Sequence, residues 1–447
     1  MLWNLLSFLV ALGILIAVHE WGHYWVARRC GVKVERFSLG FGKVLYSRKD
    51  AEGTEFSLSL IPLGGYVRML DERVAPVPES LQAQAFNRQA VWKRFAIVAA
   101  GPLANFVFAL FAFWMMLMIG VPSVRPVIGE VAPDSLAARS GLQSGMEFVA
   151  VNGEPTRDWE AVTYQLVRYL GQDEVKVTLN DEAGHQLERA LRLDGWRLDG
   201  KEEQAPFVAL GLAPIAPKVT LIVGQLVADG RAAHAGVALD DEVVALDGQP
   251  VTDWQQFVDK VQHSPEQKLL VRLRRHGEMI ELAVTPAARE VNGKVVGYLG
   301  LAPKVQPLDD KYRITLQYDP GRALIAAGQR VVDVMGLTLD MVSKLVTGIV
   351  SLDNLSGPIS IAKGAGSTAS YGLVYFLGFL GLVSINLGVI NLFPLPVLDG
   401  GHLMFFVVEA LRGKPVPEKI QEYAFKFGAA VLVCLMGIAL FNDFVRL

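Results

Sequence analysis

The feature that most limits this chain is its opening. Leu2 to Val18 is almost unbroken apolar sequence, and it runs straight into His19-Glu20-Trp21-Gly22-His23 before Tyr24, Trp25 and Val26. At about 1.5 Å per residue, His19 lies roughly 25 Å along a helix that starts near residue 2, close to the far edge of a hydrocarbon layer about 30 Å thick. Ionisable groups at that depth are costly to place, so a cluster of them points to function. The pattern is H-E-x-x-H. On a helix it sets His19 and His23 one turn apart on one face, able to share a tetrahedral zinc, with Glu20 beside them as a candidate general base. The competing reading is a structural His pair.

Composition agrees with a mixed membrane and soluble chain. Of 447 residues, 52% are hydrophobic and 19% charged, more apolar than an ordinary soluble protein and more polar than a bare helix bundle. The formal net charge of −3 carries no nucleic-acid footprint. Two cysteines, Cys30 and Cys434, at opposite ends of the chain make neither a disulfide framework nor a thiolate zinc site. No Lys or Arg precedes the apolar run and no small-residue cleavage pattern follows it, so it reads as a retained span.

Taken in order, residues 1–27 are expected to form the first transmembrane helix and residues 28–94 a loop. That loop holds twelve Lys or Arg, which puts it in the cytoplasm by the positive-inside rule and the N-terminus outside. Within it, Phe37 to Met69 alternates and turns like a small antiparallel sheet punctuated by Gly40, Gly42, Gly64 and Gly65. It is either an ordinary hairpin or an edge that pairs with an extended substrate. A basic amphipathic helix from Phe86 is expected to lead into a second span, 95–120, carrying Gly101-Pro102 and Asn105.

From 124 to about 305 the chain turns polar and repeats itself. VIGEVAPDSLAARSGLQSGMEFVAVNGEPTRDW recurs as IVGQLVADGRAAHAGVALDDEVVALDGQPVTDW, pairing Gly129 with Gly224, Gly141 with Gly236 and Trp159 with Trp254. A constant offset of 95 residues makes each copy a domain of its own, at 124–214 and 215–306, not a solenoid unit. The Ser-Leu-Ala-Ala, Gly-Leu, Gly-Met-Glu and Val-Asn-Gly series resembles a bacterial-protease PDZ domain, a fold that takes peptide termini by strand addition. Whether either groove binds a peptide or serves as a spacer or sieve stays open. In 307–370, Arg330, Asp333, Asp340 and Lys344 recur on one helical face, which predicts an amphipathic helix lying at the membrane surface.

A third span, 371–402, is interrupted by Asn391-Leu392-Phe393-Pro394-Leu395-Pro396-Val397-Leu398-Asp399-Gly400-Gly401-His402, and broken backbone at that depth must line a cavity. Running outside to inside, it delivers Asp399 to the membrane face that holds His19 and His23. A fourth span, 427–445, returns the C-terminus outside. A catalytic zinc takes three protein ligands and leaves one position open. Asp399 is the favoured third ligand, with His402 its competitor. Asn391 is placed either to hold a substrate backbone or to satisfy the broken helix.

Together, His19-Glu20-x-x-His23, the Gly101-Pro102 and Asn105 element, the tandem repeats and Asn391-x-x-Pro394-x-Pro396-x-x-Asp399-Gly400 resemble the site-2 protease family of intramembrane zinc metalloproteases over essentially the whole chain. The resemblance implies a membrane α-helical fold, with four transmembrane helices and a small membrane-associated β-sheet, plus two α+β PDZ domains. It implies zinc on His19, His23 and Asp399, Glu20 as catalytic base, and substrate handling by Asn391, Pro394 and Gly40-Phe41-Gly42. The expected partners are the lipid bilayer and a single-pass membrane protein already trimmed outside, notably an anti-sigma factor, or remnant signal peptides. By the same resemblance the PDZ pair excludes untrimmed substrates. The expected setting is a bacterial inner membrane, with both termini and the PDZ domains periplasmic and the chain a monomer. Two other classes compete. A peptide-binding scaffold would not need Glu20, and a metal transporter would spread polar residues along several spans instead of gathering them at one face.

Overall fold

The computed structural model describes residues 2–197, 206–291 and 294–445. Its main helices are α1 (Leu2–Arg29), α2 (Val91–Ile119), α3 (Trp159–Arg168), α4 (Trp254–Gln262), α5 (Pro320–Val346), α6 (Pro358–Tyr371), α7 (Leu373–Asn391), α8 (Asp399–Arg412) and α9 (Glu418–Val445). Four of them, α1, α2, α7 and α9, are long and apolar enough to cross a membrane. α1 runs without a break through His19 to His23, because no proline removes a backbone donor between Leu2 and Arg29. α2 keeps Pro102 in its interior, buried beside Gly101 and Asn105 on the face that meets the other helices.

Between α1 and α2 stand two long strands, β1 (Val34–Lys49) and β2 (Glu55–Met69). Both bend, so each pairs twice: Phe37 lies opposite Val67 on one side and Phe56 on the other, and Phe56 also faces Arg48. The result is a curled sheet of four segments with Gly65 to Met69 at one outer edge and Val44 to Lys49 at the other. Tyr24, Ala27, Phe37 and Ile97 form a shared core that seats this sheet on α1 and α2. The expected amphipathic helix before α2 is absent among the described residues. Only two short 3-10 turns, Glu79–Gln84 and Phe86–Arg88, occupy that stretch. The basic run instead starts α2, where Arg94 turns inward and pairs with Glu409 of α8 at 2.6 Å.

The two repeats fold into the same series of elements. In each, a strand is followed by a one-turn helix, a second strand, a longer helix and a hairpin; α3 and α4 occupy equivalent places. The chain divides into two compact units, one of residues 214–314 holding the second repeat, the other containing everything else. The first repeat therefore belongs with the helices. Its core of Phe148, Trp159, Leu166 and Leu179 continues into Leu337, Met341 and Leu345 of α5.

α5 is the two-faced helix that its spacing predicts. Its polar stripe faces protein: Arg330 donates to Glu160 at 2.5 Å, Asp333 and Asp340 flank Arg168, and Lys344 caps α3 by donating to the carbonyls of Val167 and Arg168 at 2.9 and 2.8 Å. The face beside that stripe buries Ala323, Ala327 and Val334 against α2 and α7, Thr338 donates to Asn386 of α7 at 2.7 Å, and Ile325, Val332, Leu339 and Val346 on the far side stay exposed. Amphipathic spacing announced a two-faced helix. It carried no information on which partner takes the polar face.

The third span also ends earlier than the expected 371–402. α7 stops at Asn391, the chain turns through 392–398, and α8 opens with Asp399. Pro394 and Pro396 are the reason, since neither can donate within a helix. α9 begins at Glu418, ahead of the expected 427, and its far end is tied down by Asp443, which accepts from the backbone of Gly357, Ile359 and Ser360 at the start of α6.

Candidate metal centre

α1 and α2 touch at small residues. A Cβ on Gly22 would run into the backbone of Ala100, and a Cβ on Gly101 would strike the ring of His23 and lie 2.9 Å from His19 Cε1. Only glycine at 101 leaves room for both imidazoles. Across this contact the break after α7 brings Asp399. Its Oδ2 stands 3.2 Å from His19 Nε2 and 3.4 Å from His23 Nε2, and the two nitrogens are 3.2 Å apart. Atoms bound tetrahedrally at about 2.0–2.2 Å from one ion stand about 3.3–3.6 Å apart. The observed triangle fits. Asp399 Oδ2 is moreover buried with no hydrogen-bond partner, an acceptor that a cation would satisfy. Among the described residues this is the one group of three His, Cys, Asp or Glu side chains able to hold a metal.

Both rings are fixed from behind. His23 Nδ1 lies 2.9 Å from the carbonyl of Ile97, and Asn105 Nδ2 lies 3.1 Å from His19 Nδ1. A ligating histidine characteristically donates from its other nitrogen to an acceptor, which the Ile97 carbonyl provides for His23. The Asn105 carbonyl in turn takes the Ser384 hydroxyl at 2.8 Å, binding α2 to α7 at the level of the site.

The three residues and Glu20 open into a cavity of about 560 Å³. One wall is the outer edge of the curled sheet, Gly65 to Met69, and the backbone of Val67 reaches the Glu20 carboxylate. Another is α8, with His402, Phe405, Phe406 and Glu409. The third comes from α9, whose Phe425 packs on His402 with ring centroids 5.2 Å apart. His402 thus shares the cavity but stands outside the triangle of ligand atoms.

Other candidates sit farther out. Gly40, Phe41 and Gly42 occupy the bend of β1 and are absent from the cavity lining; Phe41 reaches it indirectly, stacked on Tyr66 at 6.1 Å. Asn391 closes α7, half-buried, and Pro394 is exposed in the turn before Asp399; neither lines the cavity. Sequence reasoning missed the wall at Tyr66 to Met69, the Ile97 carbonyl and the Arg94–Glu409 pair. The two glycines at 64 and 65 signalled a close backbone approach there, whereas a main-chain acceptor such as Ile97 leaves no mark on residue identity.

The peptidase family M50 model matches residues 7–435. Over the full chain and 99% of the relative's length, it is 51% identical to a putative zinc metalloprotease of Vibrio cholerae. It is 50% identical to the regulator of sigma-E protease RseP of Escherichia coli and 49% identical to that of Salmonella typhimurium, again over the full chain and 99% of each relative.

Proposed function

The chain belongs to peptidase family M50 and is a zinc metalloprotease; we propose that it hydrolyses a peptide bond within or beside the transmembrane segment of single-pass membrane proteins. The observation that carries this reading is the convergence of two histidines, an aspartate and Glu20 in one cavity beside apolar helices, with a strand edge as its wall. His19, His23 and Asp399 would hold the zinc. When bound, the ion supplies a Lewis acid that acidifies water and polarises a carbonyl. Glu20 takes the proton from the attacking water and returns it to the leaving amine.

A helical substrate has its amides locked in bonds within the helix, so hydrolysis needs local unwinding and replacement partners. The outer edge at Gly65 to Met69 offers them by strand addition. Phe41, stacked on Tyr66, shapes that edge from the bend at Gly40 and Gly42. Asn391, whose side chain makes no hydrogen bond among the described residues, receives substrate backbone where the helix ends, and Pro394 keeps the turn open beside it.

The twelve Lys and Arg in 28–94 support a cytoplasmic position for that loop and the site, with both termini and the repeats in the periplasm. The repeats are read as PDZ domains that exclude bulky substrates. The names of the Escherichia and Salmonella relatives tie those proteins to regulation of sigma-E; the substrate proposed here is accordingly an anti-sigma factor trimmed by a first cleavage, in an envelope stress response, with remnant signal peptides as a second class.

Reconstitution with two single-span reporters tests this, one bearing a short outer tail and the other a folded outer domain. Cleavage of the first alone, lost on chelation and regained with zinc, is the expected result. Equal cleavage of both removes the filter. Failure to cut either, with zinc bound, removes hydrolysis within the membrane.

A further inference from the structure

Asn105 is fully buried on α2, one turn beyond Gly101, and its side-chain amide faces His19 Nδ1 at 3.1 Å. Its Oδ1 has no hydrogen-bond partner. With the amide nitrogen toward the ring, Nδ1 would have to accept, and the proton of a neutral ring would sit on Nε2. That orientation does not suit a ligating Nε2. To ligate, Nε2 must offer its lone pair, so the proton of the neutral ring moves to Nδ1. Its neighbour at hydrogen-bond distance is Asn105, which must then present oxygen instead of nitrogen. An amide turned end for end occupies the same volume, and Oδ1 is committed to nothing else. His23 needs no such adjustment, because the Ile97 carbonyl at 2.9 Å can only accept and so already holds the proton on Nδ1.

We propose that Asn105 is the positioning residue of His19: in the zinc-loaded protein its Oδ1 accepts the Nδ1 proton, fixing the tautomer and ring orientation that make Nε2 a ligand. This rests on the zinc reading of the site. Ser384 holds the Asn105 main chain in place from α7, so the same residue links the first ligand's orientation to the helix that leads to Asp399.

Zinc affinity of the full-length chain, measured by competition with a chelator, separates the cases. Asn105→Asp retains an acceptor and cannot donate; Asn105→Leu offers neither. The expected result is zinc affinity within about threefold of wild type for Asn105→Asp and about 10–100-fold weaker for Asn105→Leu. Wild-type affinity in both variants, or an equal loss in both, overturns the proposal. Should either variant fail to fold, nitrogen-15 histidine spectra of the zinc-loaded wild type decide. A protonated Nδ1 at His19 supports the assignment, and an unprotonated one overturns it. A wild-type chain that takes up no zinc at His19 and His23 would instead strike the metal reading beneath it.

Discussion

His19 and His23 lie on one uninterrupted helix, their separation set by a single turn of local backbone bonds; Asp399 arrives after the break at residues 392–398 and opens a new helix. The two halves of the centre are therefore held by different physics. On α1 the ligand spacing follows from helix geometry and needs only a small residue opposite, supplied by Gly101. At Asp399 nothing local fixes the position. It depends on the turn packing against Gly400 and Gly401, on the Arg94–Glu409 pair that ties α8 to α2, and on Ser384 joining α7 to Asn105. The α1 half should tolerate change away from the ligands, whereas the α8 half should be sensitive to its whole surroundings.

The sharpest division of labour is within α1 itself. Glu20→Gln should lower cleavage of a membrane reporter by about 10²–10⁴-fold while zinc stoichiometry stays unchanged, because the base moves protons and does not bind the ion. Retained cleavage would take that role from Glu20. Next, Asp399→Ala should weaken zinc by more than the roughly 10–100-fold expected of an outer partner, with His402→Ala leaving zinc as in wild type. The reverse ranking, read by metal analysis of the two variants, would move the third ligand to His402.

Smaller effects test the contrast in tolerance. Glu409→Gln leaves the buried Arg94 without its anion, an expected loss of about 3–5 kcal/mol in stability, read by thermal unfolding in detergent. An unchanged midpoint would mean that α8 is held by apolar packing alone. Gly13→Ala on α1, where a Cβ meets nothing within 4 Å, should be neutral or stabilise by up to about 1 kcal/mol. A marked loss there would break the claim that α1 is indifferent to its distant neighbours.

What the sequence disclosed follows the same division. His19-Glu20-x-x-His23 was legible because its meaning is local, and the two repeats because Trp159 and Trp254 open matching helices with the same Asp cap before them. Asp399 could be brought to the right membrane face by topology, but its separation from His402 could not, since both lie on one turn of α8. The polar stripe of α5 read as an amphipathic helix, yet Glu160 and Arg168 lie far away in sequence and gave no hint that they receive it. The equivalent positions in the second repeat are Gln255 and His263, and Gln255 bonds instead to Asp259 of its own helix at 2.8 Å. Two copies of one scaffold thus differ in a helix face. Complementarity between distant segments is invisible to periodicity, and so was the wall of the cavity at Tyr66 to Met69.

Zinc-edge X-ray absorption of the purified full-length chain bears most directly on the convergence of His19, His23 and Asp399. Two imidazole nitrogens with only oxygen completing the shell, at about 2.0–2.2 Å, is the predicted spectrum. A third imidazole, or sulfur at about 2.3 Å, would contradict it.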